Sequence, residues 1–386
     1  MTSNSEAQIK PSKQSHQPGI RHLEFARDTA FQTALRQRVD EFFVASGRSK
    51  RDCWLMYLKS ALILGTFGAA WWMLVFFAQT LTAGLILAVV LGLATAMIGF
   101  NIQHDGGHGS YSKRRWINRI AAGTLGLIGG SSYSWRWKHS VIHHMYVNIT
   151  GYDNDIDVHP LGRFCPHQKR LWFHRWQHFY MWAFYGMEAM KLQFFDDFKF
   201  IIRGRMGTHR IGRPLRWELV NFVAGKVVFF CLAFAIPMLF HPVWTVLFYY
   251  VVAAWVLGGV MVLVFVTPHL VGDADFPLPD APGRIDRPWA VHQAGVTVDF
   301  ARWNRPLTWL LGGLNYHKEH HLFPLICHVN YPAMSEVVEQ TCRDFGVPYK
   351  EHRSFLSGIA AHYRWLRRMA REDQAVGAAD RRPGDR

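Results

Sequence analysis

The sequence predicts an all-α integral membrane protein with four transmembrane helices in two hairpins and a cytoplasmic helical cap. Half of its 386 residues are hydrophobic and 15% are aromatic, but they are distributed unevenly. Residues 60–103 and 227–272 contain no Asp, Glu, Lys or Arg. Because a membrane-spanning helix needs about 20 apolar residues, each stretch is long enough for a pair of helices. A buried hairpin in a soluble protein is the alternative, and the occurrence of two such pairs argues against it.

The chain divides into four regions. Residues 1–20 are rich in Ser, Gln and Pro, which favours disorder. Residues 21–53 form a cytoplasmic helical segment, with an amphipathic helix over 21–44. Residues 54–350 form the membrane domain, with spans predicted at 62–80, 82–102, 219–239 and 243–266. Residues 351–386 contain a C-terminal helix and a loose tail.

Two further segments of the membrane domain are apolar or aromatic but do not resemble spans. Residues 116–134 are rich in Gly and Ser, which suits a re-entrant or membrane-surface helix. Residues 168–200 carry many Trp, Tyr and Phe side chains, which favour the membrane interface. A plain aromatic core is an equally good interpretation of the second segment.

Charge sets the expected orientation. The chain has 43 Lys and Arg against 28 Asp and Glu, a net charge of +15. The basic residues flank the spans, whereas the turns within the two span pairs have none, so both termini and the middle segment are placed in the cytoplasm. We expect a multi-pass protein of a bacterial inner membrane, and no nucleic-acid partner. No signal peptide is visible, and five dispersed cysteines suit reduced thiols.

Three histidine motifs stand out. The first motif is His104 and His108, the second is His139, His143 and His144, and the third is His317, His320 and His321. Positions three or four apart share one face of a helix, and neutral imidazole is a common metal ligand. With both hairpins returning to the cytoplasm, all eight imidazoles fall on one side. Eight is too many for one tetrahedral zinc and enough for two octahedral-like irons.

The three motifs resemble those of the membrane fatty acid desaturase family. The similarity covers roughly residues 55–350 and is carried by the segments 104–108, 138–144, 150–156 and 315–324. The sequence around the second and third motifs is similar to that of the bacterial linoleoyl-CoA-type or front-end branch of the family. Two positions depart from relatives: many front-end members have Gln in place of His317, and stearoyl-CoA-type members have Asn where this chain has Phe265.

The resemblance implies two irons held by nine histidines. The ninth is His269, just after the fourth span, with His292 as the competing candidate. It implies no catalytic residue beyond these ligands. It also implies O2 as co-substrate and an acyl chain on CoA or on a lipid as substrate. Electrons are expected from a separate ferredoxin, or from cytochrome b5 with a reductase, because no His-Pro-Gly-Gly haem motif is present.

Two other functions stay open on the sequence alone. The first is a membrane diiron hydroxylase or ketolase of alkane, sphingolipid or carotenoid substrates. The second is a zinc-dependent membrane hydrolase or receptor-like protein. Seven histidines are expected at the surface or the membrane interface: His159, His167, His174, His178, His209, His241 and His328. The acidic residues Asp153, Asp155 and Asp157 form a solvated loop, or orient imidazoles of the second motif.

Overall fold

A computed structural model describes residues 23–280 and 283–372. The predicted disorder of residues 1–20 lies outside this range, as does most of the loose tail expected from about residue 370, although residues 370 and 371 are still helical. The helix predicted over 21–44 begins later than expected. Strand β1 (Glu24–Phe25) comes first, and helix α1 follows at Ala30–Ser46. Helix α1 buries Phe31, Leu35 and Val39 at helical spacing, which is the amphipathic pattern expected from the sequence.

The first pair of spans is longer than predicted. Helix α2 covers Trp54–Phe76, and helix α3 covers Leu81–Met97. Helix α3 continues through a π-helical segment (Ile98–Gln103) into α4 (His104–His108), so that the second candidate span is Leu81–His108. The first histidine motif therefore lies on the last turns of this span and not after it.

Short helices and turns make up the segment between the two pairs of spans. They are α5 (Arg115–Gly123), a 3₁₀ segment (Thr124–Ile128), α6 (Ser132–Trp135), a π-helical segment (Arg136–His143), α7 (His144–Tyr146), a second 3₁₀ segment (Trp172–Trp176), α8 (Gln177–Lys191), a third π-helical segment (Leu192–Asp196), α9 (Asp197–Arg203), and the hairpin β2 (Arg205–Met206) and β3 (His209–Arg210). Trp172, Phe179 and Phe195 are more than 60% exposed, which fits the interfacial interpretation of residues 168–200 better than an aromatic core.

The second pair of spans follows. Helix α10 (Arg216–Phe230) continues through a π-helical segment (Cys231–Ala235) into α11 (Ile236–Met238), and α12 covers Val243–His269. Among the described residues, four helical stretches are long and apolar enough to cross a membrane, as the sequence predicted. The helices extend beyond the two charge-free stretches: Lys59 lies within α2, outside the predicted span, and Lys226 lies within α10, inside the span predicted at 219–239.

The rest of the chain packs on the ends of the spans that carry the histidine motifs. It contains β4 (Arg284–Ile285), α13 (Trp289–Val296), β5 (Asp299–Phe300), α14 (Arg305–Leu310), α15 (His317–Leu322), α16 (Tyr331–Asp344), β6 (Glu351–His352) and α17 (Phe355–Arg371). Strand β1 pairs with β4, and β5 pairs with β6, both in parallel. These short ladders join segments that are distant in sequence, and α1 packs against α16.

The helices approach each other through small residues and one buried ion pair. A Cβ atom on Gly126 would lie 2.8 Å from Cα of Gly225, so this crossing tolerates no side chain. Nζ of Lys226 lies 3.0 Å from a carboxylate oxygen of Asp197 and also donates to the carbonyl of Gly129. Because both charges are buried, removal of one partner is expected to cost about 3–5 kcal/mol.

Candidate metal centre

Nine histidines of the described residues meet in one cluster at the ends of the second and fourth spans. They come from the three motifs and from the last residue of α12: His104, His108, His139, His143, His144, His269, His317, His320 and His321. All are buried except His108, which is half-buried. The sequence predicted this set, and the structure brings all its members together.

Local backbone geometry aims the first two motifs. Each lies in or directly after a π-helical segment, whose wider turn shifts the register of the residues that follow. Gly109, with φ of 75°, ends the helix immediately after His108. This left-handed conformation suits glycine and lets the chain leave the cluster at once. The spacing of four residues thus presents both imidazoles of the first motif to the same point.

We call His104, His108, His139 and His320 the first group. Their ligand nitrogens all lie within 4.8 Å of one another. Nε2 of His104 lies 3.2 Å from Nε2 of His139. The indole of Trp135 packs against this group, with ring centroids 4.8 Å from His139 and 5.1 Å from His108.

We call His143, His269, His317 and His321 the second group. The ligand nitrogens of His143, His269 and His321 lie within 4.8 Å of one another. His317 joins them because its Nε2 lies 2.9 Å from Nε2 of His269. His144 lies between the two groups, 3.2 Å from Nε2 of His139 and stacked on His321 with ring centroids 4.3 Å apart.

Hydrogen bonds on the far side of the rings orient the second group. Nδ1 of His269 donates to the carbonyl of Val296 at 3.0 Å, and Nδ1 of His317 donates to the carbonyl of Leu314 at 2.9 Å. Nδ1 of His321 lies 3.0 Å from Oε1 of Gln293, and Nδ1 of His143 lies 3.2 Å from Asp153. Because Nδ1 holds the proton in each ring, Nε2 is left with a free lone pair.

This arrangement fits a metal ion. Two lone pairs of His269 and His317 face each other at 2.9 Å, which is unfavourable unless a cation lies between them. Within residues 23–280 and 283–372, Nε2 of His108, His143, His320 and His321 has no hydrogen-bond partner although it is buried. A buried polar atom normally has a partner, so these nitrogens are suited to ligation. A set of imidazoles without thiolate suits iron, zinc, copper or nickel.

Burial also keeps most of the cluster neutral. It lowers the pKa of His139, His144, His320 and His321 well below the ordinary value, and that of His317 to about 3. Burial lowers the pKa of His143 too, but the carboxylates of Asp153 and Asp155 outweigh it and raise this pKa. Neutral imidazoles are the form that binds metal.

Three sequence interpretations can now be compared with the structure. His292 lies outside the histidine groups of the described residues and packs on the ring of Phe25 at 5.3 Å. Asp153 and Asp155 contact His143, so the orienting alternative is confirmed for them, whereas Asp157 is exposed. The expectation of a surface or membrane-interface position is wrong for four of the seven histidines, because His174, His178, His209 and His328 are buried. The rings of His174 and His209 bond to backbone carbonyls, and the ring of His328 bonds to Asp105.

Sequence reasoning missed several residues that shape the cluster. Gln293 accepts a hydrogen bond from His321 and donates one to the backbone carbonyl of His144, so it contacts the second and the third motif. The ring of Phe265 lies 5.8 Å from that of His139. Trp135 precedes His139 by one helical turn, and this spacing was the one feature of the sequence that could have placed Trp135 next to the second motif. Nothing in the sequence connects Gln293 with His321.

The fold and the cluster together define a helical membrane protein with a polyhistidine centre suited to metal ions. The family model of fatty acid desaturases matches residues 80–353, and the chain belongs to this family. It is therefore an oxidoreductase that introduces a double bond into fatty acyl chains. The resemblance carried by the three histidine motifs is confirmed.

Curated relatives extend along nearly the whole chain. The chain is 36% identical over 348 residues to the sn-1 linoleoyl-lipid 6-desaturase of Arthrospira platensis, an alignment that covers 90% of this chain and 94% of that protein. It is 33% identical over 351 residues to the protein of the same name from Synechocystis, covering 90% and 98%. It is 35% identical over 352 residues to an acyl-lipid (8-3)-desaturase of Physcomitrium patens, covering 89% and 72%.

Proposed function

We propose that this enzyme desaturates acyl chains esterified to membrane lipids, with a linoleoyl lipid as the first substrate to test. The carrier, CoA or lipid, is open on the sequence alone. The lipid is favoured because the relatives with high coverage are named for lipid-linked acyl chains. The single structural observation that carries the proposal is the division of nine imidazoles into two adjacent groups.

We assign one iron to the first group and one to the second, with His144 between them. When bound, the two irons supply the oxidation of an unactivated methylene pair by O2, with two electrons from a separate ferredoxin or from cytochrome b5 with its reductase. The nine histidines hold the metal, and Asp153, Gln293 and the carbonyls of Val296 and Leu314 fix the ring orientations. Trp135 and Phe265 exclude water from the first group.

A cavity beneath the cluster is our proposed site for the acyl tail. It has a volume of about 340 Å³, lies among the four candidate spans, and is lined mainly by apolar side chains. Among the lining residues, Thr95 on α3 and Leu257 on α12 come nearest along their helices to His104 and His269, whereas Gln79 and His241 lie in the turns at the opposite ends of the spans. Thr95 precedes His104 by nine positions on one continuous helix, which corresponds to roughly 13 Å along its axis. This depth suits the methyl end of a chain whose reacting carbons lie at the histidines.

We further propose that the spans form two hairpins, with both termini, the cap and the histidine cluster in the cytoplasm. The support is the basic character of the segments that flank the spans. Membrane-impermeant thiol labelling of intact cells tests it. A cysteine at Gln79, in the exposed turn between α2 and α3, should react from outside. A cysteine at Val44, which is 84% exposed in α1, should react only after lysis. The reverse pattern would exclude this orientation.

Fatty acid methyl ester analysis of a host that expresses the enzyme tests the activity. With linoleate supplied, we expect a new acid that has lost two hydrogens and is found first in the intact lipid fraction. A product that has gained one oxygen would identify a hydroxylase instead. If the new acid appeared first in the acyl-CoA fraction, the carrier would be reassigned to CoA. Metal analysis of protein purified under anaerobic, iron-replete conditions should find about two irons per chain, and one zinc without iron would contradict the assignment.

A further inference from the structure

A buried cluster of charged and polar groups lies beside the metal centre and contains none of its proposed ligands. We call Asp105, His328 and Lys59 the Asp105 triad. Their exposures are 1%, 2% and 4%. Nδ1 of His328 lies 2.9 Å from a carboxylate oxygen of Asp105, and Nζ of Lys59 lies 3.0 Å from Nε2 of His328. The three residues come from the first histidine motif, from the segment after the third motif, and from the first span.

The carboxylate of Asp105 fixes the proton in the triad. A carboxylate only accepts hydrogen bonds, so Nδ1 of His328 carries the imidazole proton and Nε2 accepts from Nζ of Lys59. Nδ1 then donates to Asp105, and the backbone N–H of His328 donates to the same carboxylate oxygen at 3.2 Å. The triad therefore pairs one buried cation with one buried anion through a neutral ring. Each charge would be costly if it were left alone.

Asp105 connects this network to two proposed ligands. It stands in the chain between His104 and His108, and its backbone carbonyl accepts from the N–H groups of Ser110 and Tyr111 at 2.9 and 3.3 Å. The carbonyl thus closes the turn that ends α4, and the carboxylate anchors that turn to the segment following the third motif. Because α4 forms the end of the helix Leu81–His108, its last carbonyls have no partners within the helix, and this anchor stabilises that end.

We propose that His328 and Lys59 are positioning residues of the metal centre. The Asp105 triad holds α4 at the angle that points His104 and His108 at the first group, and it holds the first span against this turn. The proposal rests on the proposed function, since it takes both histidines as iron ligands. Removal of the His328 ring would leave Asp105 and Lys59 without their bridge and would loosen the first group while the second group stays intact.

The experiment compares His328→Ala with three other variants. His328→Asn retains an N–H that can donate to Asp105, and Lys59→Met removes the charge while keeping much of the side-chain volume. His174→Ala is the matched control, because His174 is equally buried and its ring is bonded to the carbonyl of Pro160, far from the triad in sequence. Each protein is prepared without iron and titrated anaerobically with Fe(II). Iron per chain, the rise in melting temperature on iron binding, and the KM and kcat of desaturation are measured.

We expect His328→Ala to bind one of its two irons about 10–100-fold more weakly, with a matching fall in kcat and little change in KM. Its iron-induced rise in melting temperature should shrink, whereas the iron-free protein should melt close to the His174→Ala protein. Lys59→Met should show a smaller loss of the same kind, and His328→Asn should recover much of the iron affinity. These results would establish the positioning role.

Two outcomes would overturn the proposal. One is a His328→Ala protein that binds both irons with unchanged affinity and retains the kcat of the wild type. The other is an equal loss in His174→Ala, which would show that any buried histidine has this effect. Failure of the proposed function looks different, since the wild-type protein itself would then bind no iron pair or form no double bond.

Discussion

The two groups of histidines are held in different ways. In the second group, the rings of His143, His269, His317 and His321 each have a hydrogen-bond partner for Nδ1. In the first group, the rings pack against Trp135 and against each other, and His320 makes a long contact of 3.4 Å with the hydroxyl of Tyr331. The second group is thus oriented by hydrogen bonds and the first mainly by packing.

This difference follows from where the residues lie. His104 and His108 end a long apolar helix, where the Asp105 triad anchors the backbone and the rings themselves pack against the indole of Trp135. The second group faces the polar loops and the α13 segment, which offer carboxylates, amides and free carbonyls. We infer that iron in the second group is held more tightly and that graded chelation should remove iron in two steps.

The largest expected effect is the loss of a ligand from either group. His320→Ala and His321→Ala remove neighbouring residues of one helix but belong to different groups. Each should abolish desaturation, since both irons are needed. Product analysis and iron content should be measured in membranes with matched protein levels. We expect His321→Ala to lose the more tightly held iron and His320→Ala the weaker one, while both proteins still insert, because the spans do not depend on metal.

A large but partial effect is expected from a hydrogen-bond partner of the second group. Asp153→Asn keeps the shape of the side chain but removes the negative charge next to His143. Loss of such a partner typically lowers metal affinity or activity about 10–100-fold. Anaerobic Fe(II) titration checks this value, and Asp157→Asn is the matched control because Asp157 is exposed. Equal affinity of the Asp153 variant and the wild type would remove the basis for contrasting the groups.

A smaller effect is expected at the position where relatives differ. His317→Gln should retain measurable turnover, because Gln can offer an oxygen to the metal and occurs here in many front-end relatives. His320→Gln should retain none. The comparison of the two Gln variants in the same methyl ester assay sharpens the contrast, since it shows which group tolerates a changed ligand. Turnover in His320→Gln above that of His317→Gln would reverse our ranking.

The sequence predicted part of this site for clear physical reasons. The eight histidines of the motifs were found because their spacing of three or four residues is a local property of helices. His269 could be chosen over His292 only by resemblance, since both are isolated in sequence. Gln293 and His328 were missed because their partners lie 28 and 223 residues away. Such contacts depend on packing that no local pattern encodes.

The fold, like the site, was predicted only in part. The number of candidate spans followed from the two charge-free stretches, but their ends did not. Lys59 was left outside the first predicted span, yet it lies inside α2, where it bonds to His328, whereas Lys226 lies inside the third span as predicted and is paired with Asp197. A rule that ends a span at the first charge fails wherever a buried partner exists. The π-helical segments, which aim the first two motifs, also leave no recognisable sequence signal.

The smallest effect on catalysis is expected at His292, and it tests the boundary of the second group. His292 is fully buried on α13, next to Gln293, and its ring packs on Phe25. Burial lowers its pKa to about 3, so the ring is neutral at physiological pH. His292→Ala removes packing and should lower stability by about 1–3 kcal/mol, as truncation of a buried side chain commonly does. Iron content and product yield per folded protein should stay close to wild type, whereas His269→Ala should lose both. If His292→Ala instead lost one iron at normal protein levels, the ninth ligand would have to be reassigned, because stability alone does not change the metal content of the protein that remains folded.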